Sequence, residues 1–250
     1  MSITIQYYSD SLGLSRPGVV DMHQRYIYLL EEWLRKKGED RIFIINRARG
    51  GATIDKLFET FKEDEGYVTG EKDILIIHEG VCDCAPRPVS KPIRNFISCL
   101  PGFIKRRIIA WLHNNRARLL KNGSVNYLVE KKAYRQILNE WLSQALKSFK
   151  VIYVFTIADT NEATEIHSPG FRKSIGAYNE IIKQVAQELN DPRIRIIDIH
   201  AVLKDSGLPY DELIVAGDGH HITPAAHQLY FEEIAKLETH RIAECSNGKF

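Results

Sequence analysis

Two short apolar runs constrain this chain more than any other feature. Ile42-Phe43-Ile44-Ile45 and Ile74-Leu75-Ile76-Ile77 are each bounded by polar residues. Runs this short and this uniformly apolar read as strands buried on both faces, the signature of a parallel sheet covered by helices. The rest of the chain repeats the pattern. Strands are expected over Ser2–Tyr8, Arg41–Asn46, Asp73–His78, Lys150–Ile157 and Arg193–Ile199. Helices are expected over Met22–Lys37, Thr53–Lys62, Ala133–Phe149, Phe171–Leu189 and Pro224–Arg241. Met22–Lys37 puts Tyr26, Leu29, Leu30, Trp33 and Leu34 on one face, with Asp21 to cap it. Right-handed crossovers turn this order into an α/β chain with a doubly wound, five-stranded parallel sheet, a flavodoxin-like α/β/α sandwich. Ligands of such folds sit at the carboxyl ends of the strands.

The length of 250 residues suits one domain over 1–250, without internal repeats. No apolar run has transmembrane length, and Met1–Gln6 lacks the basic and apolar regions of a secretory signal, so a cytoplasmic location is expected. Cys82, Cys84, Cys99 and Cys245 read as reduced thiols, since their spacing suits neither paired zinc hooks nor a disulfide framework.

The formal charge of +2 hides an asymmetry. No acidic residue occurs between Asp83 and Glu130, and nine Lys and Arg residues give that stretch +9, leaving −7 for the remainder. Residues 87–126 read as a basic helical insertion after the third strand. Its charge alternates with Ile93, Phe96, Phe103, Ile104 and Trp111, as expected of amphipathic lid helices with solvated basic faces. Such a surface suits an anionic ligand or an anionic membrane surface. Nucleic acid is not expected, because no recognised binding motif accompanies the charge. GxGxxG and GxxxxGK[ST] are both missing, so the glycine-rich loops carry no dinucleotide or P-loop fingerprint and no cofactor is called for.

Four segments follow strands or precede the last helix. Ser9-Asp10-Ser11-Leu12 follows the first strand and could be no more than a turn. Gly50-Gly51-Ala52-Thr53 follows the second and could be a flexible turn. Gly80-Val81-Cys82-Asp83-Cys84-Ala85-Pro86-Arg87 follows the third; Asp83 there suits bracing of the loop through backbone N–H groups, and Arg87 suits either a salt bridge or an anionic substrate. Asp218-Gly219-His220-His221 precedes the last helix, where Thr223 and Pro224 fit capping positions. A metal site over His220, His221 and His227 is not expected, since adjacent histidines in an extended loop point apart and no zincin spacing occurs. His227 suits packing or solvent.

Together these segments resemble the blocks of the SGNH/GDSL hydrolases. Ser9-Asp10-Ser11-Leu12 is similar to the GDSL block, with Ser9 in place of glycine. The resemblance implies a nucleophile at Ser11, whose N–H also serves the oxyanion, and a second oxyanion N–H at Gly51. In the third block Cys82 replaces the asparagine that donates to the oxyanion, and a thiol is a weak donor. Arg87 could supply the missing donor or bind an anionic substrate. The string G-V-C-D-C-A-P-R also resembles SGNH-like proteins of bacterial surface-polysaccharide clusters. The D-x-x-H pattern implies Asp218 and His221 as the acid and base of a triad. The implied activity is that of a serine esterase, metal-free and cofactor-free, that removes an acyl group, such as O-acetyl, from a carbohydrate or related small polar ester. Two alternatives stay open. The same triad could transfer the acyl group to a saccharide hydroxyl, or the chain could be a non-catalytic binding module, the reading that Cys82 favours. Nothing in the sequence speaks to oligomeric state.

Overall fold

The computed structural model describes residues 2–39, 41–67, 70, 72–123 and 125–246; the side chains of 240–246, including that of Cys245, lie outside the described set. The chain begins with β1 (Ser2–Ser9), then α1 (Tyr26–Lys36), β2 (Arg41–Asn46), α2 (Ile54–Tyr67) and β3 (Lys72–His78). Next come the short α3 (Val81–Cys84) and the consecutive helices α4 (Lys91–Ser98), α5 (Gly102–Asn114) and α6 (Arg116–Asn122). The pattern resumes with α7 (Lys131–Ala145), β4 (Phe149–Phe155), α8 (Glu162–His167), α9 (Phe171–Leu189), β5 (Ile194–Ile197), α10 (Ile199–Asp205), α11 (Tyr210–Leu213) and α12 (Pro224–Ser246).

The five strands are parallel, in the order β2-β1-β3-β4-β5. Alternate residues of each strand face opposite helix layers. Tyr8, Leu75, Ile77 and Val154 pack with Phe61, Trp141 and Ile182 under α2, α7 and α9. Ile5, Tyr7, Ile76 and Tyr153 pack with Tyr26, Leu30 and Tyr230 under α1 and α12. Both layers are therefore filled by large, fully buried side chains, and the central strands β1, β3 and β4 are held rigidly. Their carboxyl ends carry the site.

Two local expectations change. The run Ile42–Ile45 is not buried on both faces: β2 is an edge strand, and Phe43 is 60 % exposed. The first helix begins later, at Tyr26, because Met22–Gln24 forms a separate 3-10 turn in which the Gln24 side chain accepts the Asp21 N–H at 2.9 Å. The polar loop after β4 folds into α8, whose Asn161 side chain accepts the Thr164 N–H at 2.9 Å.

The helices α4–α6 leave and rejoin the fold at one point. Arg87 and Asn126 form an antiparallel bridge, with the Arg87 N–H donating to the Asn126 carbonyl at 2.7 Å and the reverse bond at 3.0 Å. No residue of α5 is buried, and Phe96, Phe103 and Trp111 are exposed. Among the described residues no helix is long and apolar enough to cross a membrane.

Candidate active site

The end of β1 sets the geometry. The Asp10 N–H donates to the His78 carbonyl at 3.2 Å, which carries the β1–β3 pairing one residue past the strand. The chain then turns sharply through Ser11–Gly13, and the Asp10 side chain caps that turn by accepting the Leu12 N–H at 2.9 Å. Ser11 is thereby lifted onto the carboxyl edge of the sheet, half-buried, with its hydroxyl turned toward the loop before α12.

That loop returns from the far end of the sequence. Ser11 Oγ lies 2.9 Å from His221 Nε2, and His221 Nδ1 lies 3.0 Å from Asp218 Oδ2. The other carboxylate oxygen of Asp218 accepts the His221 N–H at 3.0 Å and the His220 N–H at 3.3 Å. A hydroxyl, an imidazole and a carboxylate are thus joined in one line. Such a line can move the hydroxyl proton to the ring while the carboxylate holds the tautomer.

Burial pulls His221 down to about 4, the nearby His220 and Arg16 push the same way, and Asp218 opposes them. The ring is therefore neutral near pH 7 and able to accept a proton. Burial pushes Asp218 up, but the backbone N–H groups and rings of His221 and His220 outweigh it and hold the carboxyl below its usual range. Ester hydrolysis that needs neutral His221 is expected to rise through about pH 4 and then stay level to neutrality. A kcat/KM profile for 4-nitrophenyl acetate from pH 3 to 8 checks this; a midpoint at or above the ordinary imidazole value would contradict it.

The sequence reading does not foresee Arg16. Its guanidinium sits 2.7 Å from Asp218 Oδ2, adding a cation behind the carboxylate. Nothing local in Ser15-Arg16-Pro17 signals a partner so distant in sequence. The histidine expectation also needs correction: the rings of His220 and His221 do not point apart but lie 4.2 Å between centroids. The rings are tilted by 45° to one another, just after the tight turn at Gly219, φ 71°. Ligand-type atoms of Asp218, His220 and His221 come within 4.8 Å of one another, but both ring nitrogens of His221 are already engaged by Asp218 and Ser11. His227 is buried against Tyr26 and Tyr230 and is part of the packing.

The remaining predicted residues stand on the segments after β2 and β3. Gly51 sits on the turn between β2 and α2, exposed, with φ 68° and open space where a Cβ would stand. That turn is tied to the nucleophile strand by the Arg49 N–H, which donates to the Ser9 carbonyl at 2.9 Å. Among the described residues, neither the Ser11 N–H nor the Gly51 N–H donates to a protein acceptor. Asp83 is fully buried and accepts the Ile54 N–H at 3.2 and 3.3 Å, so the third loop braces the start of α2.

Cys82, Arg87, Asp218 and His220 line one cavity of about 510 Å³. Burial pushes the Cys82 thiol up to about 12, helped by Asp10 and Asp83 and opposed by Arg87, so it stays protonated. Within this cavity Arg87 and Arg116 are strong donors beside the weak thiol. No salt bridge to Arg87 occurs among the described residues, and its Nε is buried without a partner. α8 completes the wall with Thr164 and His167.

Behind the site lie three buried acids. Burial drives Asp10 up to about 7 and Asp83 up to about 6, and it drives Glu79, bonded by the Tyr134 hydroxyl at 2.7 Å, well above the usual range. Groups whose folded pKa is raised bind more protons in the folded state. The stability they contribute is full at acid pH and is lost as pH rises from about 4 through about 7. Tm is expected to fall between pH 5 and 8, and Asp10→Asn to flatten that fall. An unchanged slope in the variant would remove Asp10 from this account.

Comparison with known proteins agrees with this architecture. The model of the GDSL-like lipase/acylhydrolase family matches residues 2–229. No curated protein sequence matches the chain. Among solved structures, a catalytic mutant of Axe2, an acetylxylan esterase from Geobacillus stearothermophilus, aligns at 17% identity over 94% of each chain with a TM-score of 0.61. LAE5, an α/β hydrolase enzyme from the metagenome of Lake Arreo, Spain, aligns at 15% identity over 92% of this chain and 93% of its own, TM-score 0.59. A member of the lipolytic protein G-D-S-L family from Veillonella parvula aligns at 12% identity over 95% and 99%, TM-score 0.59. At these identities the likeness establishes the fold.

Proposed function

This chain belongs to the GDSL-like lipase/acylhydrolase family, and from that premise we propose that it is a serine esterase in which Ser11 attacks the acyl carbonyl. One observation carries the reading: the unbroken line from Ser11 Oγ through His221 to Asp218, at 2.9 and 3.0 Å. His221 takes the serine proton as the tetrahedral intermediate forms, then gives it to the leaving alcohol. Water, activated by the same ring, releases the acid from the acyl-enzyme. The oxyanion is received by the N–H groups of Ser11 and Gly51. Cys82 offers only a thiol as a third donor, and loss of one oxyanion donor costs about 10²–10³ in rate.

The acyl group we favour is acetyl and the alcohol a saccharide. Support comes from Axe2, an acetylxylan esterase of the same fold, and from the polar cavity wall around Thr164, His167 and His220.

Treatment with a fluorophosphonate and measurement of intact mass test the nucleophile. A single adduct is expected on the native chain and none on Ser11→Ala. A folded native protein that takes no adduct would refute an activated serine.

A further inference from the structure

The cavity beside Asp218 does not end at the triad. It shares Arg87, His113 and Arg116 with a second chamber of about 390 Å³, roofed by α4 and α5. The second chamber adds Arg94 and Lys105 to an apolar lining that includes Ile97 and Ile109. Among the described residues, no acidic one lines it. The single acid on the first cavity wall, Asp218, is already engaged by Arg16 and His221.

The arginines at the junction have only neutral partners among the described residues. Arg116 donates to the Ser168 hydroxyl and the Pro86 carbonyl, and Arg94 to the Val89 carbonyl at 3.2 Å. Arg87 Nε is buried with no partner at all. Burial and, after it, the charge of Arg87 together lower Arg116 to about 10; the same two causes lower Arg94. Guanidinium groups packed together without a counter-ion are costly, and an anion between them removes that cost. Arginine forks match carboxylate and phosphate oxygens in pairs, a geometry lysine does not offer.

The proposed acyl group says which half of a substrate would carry the charge. An acetyl group carries no charge, so the anion belongs to the alcohol half, which receives its proton from His221 Nε2, the nitrogen that faces Ser11. The cavity begins at Asp218 and His220, the residues just before His221 in the chain.

We propose that Arg87 and Arg116, with Arg94 behind them, form a subsite for a carboxylate or phosphate carried by the alcohol half of the ester. The proposal rests on the esterase reading of Ser11 for its orientation. It makes the substrate an acylated acidic or phosphorylated saccharide rather than a neutral glycan.

Calorimetric titration tests it without requiring turnover. Glucuronate and glucose 1-phosphate serve as the two anionic probes and glucose as the neutral one. At least one anion is expected to bind at least ten times more tightly than glucose, and to weaken as salt rises from 50 to 500 mM. Which anion binds better distinguishes carboxylate from phosphate. The double variant Arg87→Gln, Arg116→Gln is expected to lose about 10- to 100-fold in affinity for the anion. Arg116→Lys, which keeps the charge but not the fork, should fall between the two. Far-ultraviolet circular dichroism and Tm confirm that each variant is folded.

Equal binding of all three probes, no detectable binding, or an unchanged affinity in the folded double variant would overturn the subsite. The fluorophosphonate adduct at Ser11 is read on the same samples. A labelled serine with no anion preference overturns the subsite alone, and anion binding without a label overturns the esterase reading alone.

Discussion

His221→Ala is expected to lower kcat for ester hydrolysis by about 10⁴–10⁶-fold, with KM changed far less. The ring accepts the Ser11 proton across 2.9 Å, and no other imidazole nitrogen stands at the hydroxyl among the described residues. Without the base, the hydroxyl stays protonated and attacks poorly. Ser11→Ala should cost a similar factor, and the two losses should not multiply, because each removes the same relay. Asp218→Asn should cost about 10⁴, since an amide facing His221 Nδ1 favours the wrong tautomer. Arg16 touches Asp218 and not the serine, so Arg16→Ala should cost much less than any triad substitution. Steady-state kinetics on one aryl acetate ranks all four variants. Losses from Ser11→Ala and His221→Ala that multiply in the double variant would show that the two residues do not act together.

Gly219→Ala should be the most damaging small substitution outside the triad. Gly219 has φ 71°, and a Cβ there would stand 1.9 Å from Thr164 Oγ1 and 2.2 Å from Asn161 Oδ1. The turn cannot retreat from α8 easily. Its carbonyl accepts the Asn161 N–H at 3.0 Å and the Thr160 hydroxyl at 2.6 Å, and the neighbouring Asp218 carbonyl accepts the Thr164 hydroxyl at 3.2 Å. Relief of the clash must therefore move Asp218 and His221 together. A displacement near 1 Å is worth about 10² in rate. Left-handed strain plus overpacking should remove about 2–4 kcal/mol of stability. Gly176 gives the opposite sign. It lies exposed within α9 with open space around its Cβ position, so Gly176→Ala should stabilise by about 1 kcal/mol. Denaturant melts of the two variants with parallel activity assays check both. A Gly219→Ala protein with native stability and rate would mean that the turn and α8 yield without cost.

The buried acids bear on the same region. Asp10 caps the nucleophile turn and Asp83 caps the loop of α2, so the groups that make the fold sensitive to rising pH also hold Ser11 and Gly51 in position. Tm should fall between about pH 5 and 8, while the rise in activity near pH 4 follows His221.

Much of this protein is legible in its sequence by itself. Apolar periodicity is a local property, so Ile74–Ile77 and the face of α1 report strand and helix directly, and the alternation of such elements implies the parallel sheet. The positions of Ser11, Gly51 and Asp83 after strands place them along one edge, because parallel strands share their carboxyl ends, and Asp218–His221 is legible only by its motif before the last helix. What tertiary structure decided is everything set by the order of strands and the approach of distant turns. The order β2-β1-β3-β4-β5 put Ile42–Ile45 at an edge and left Phe43 exposed, which four consecutive apolar residues could not announce. Arg16 reached Asp218, Gly219 pressed on α8, and Arg87 met Arg116 only once the chain had closed on itself. Such contacts depend on backbone paths and on charges left without partners, and neither leaves a period or a motif in the sequence.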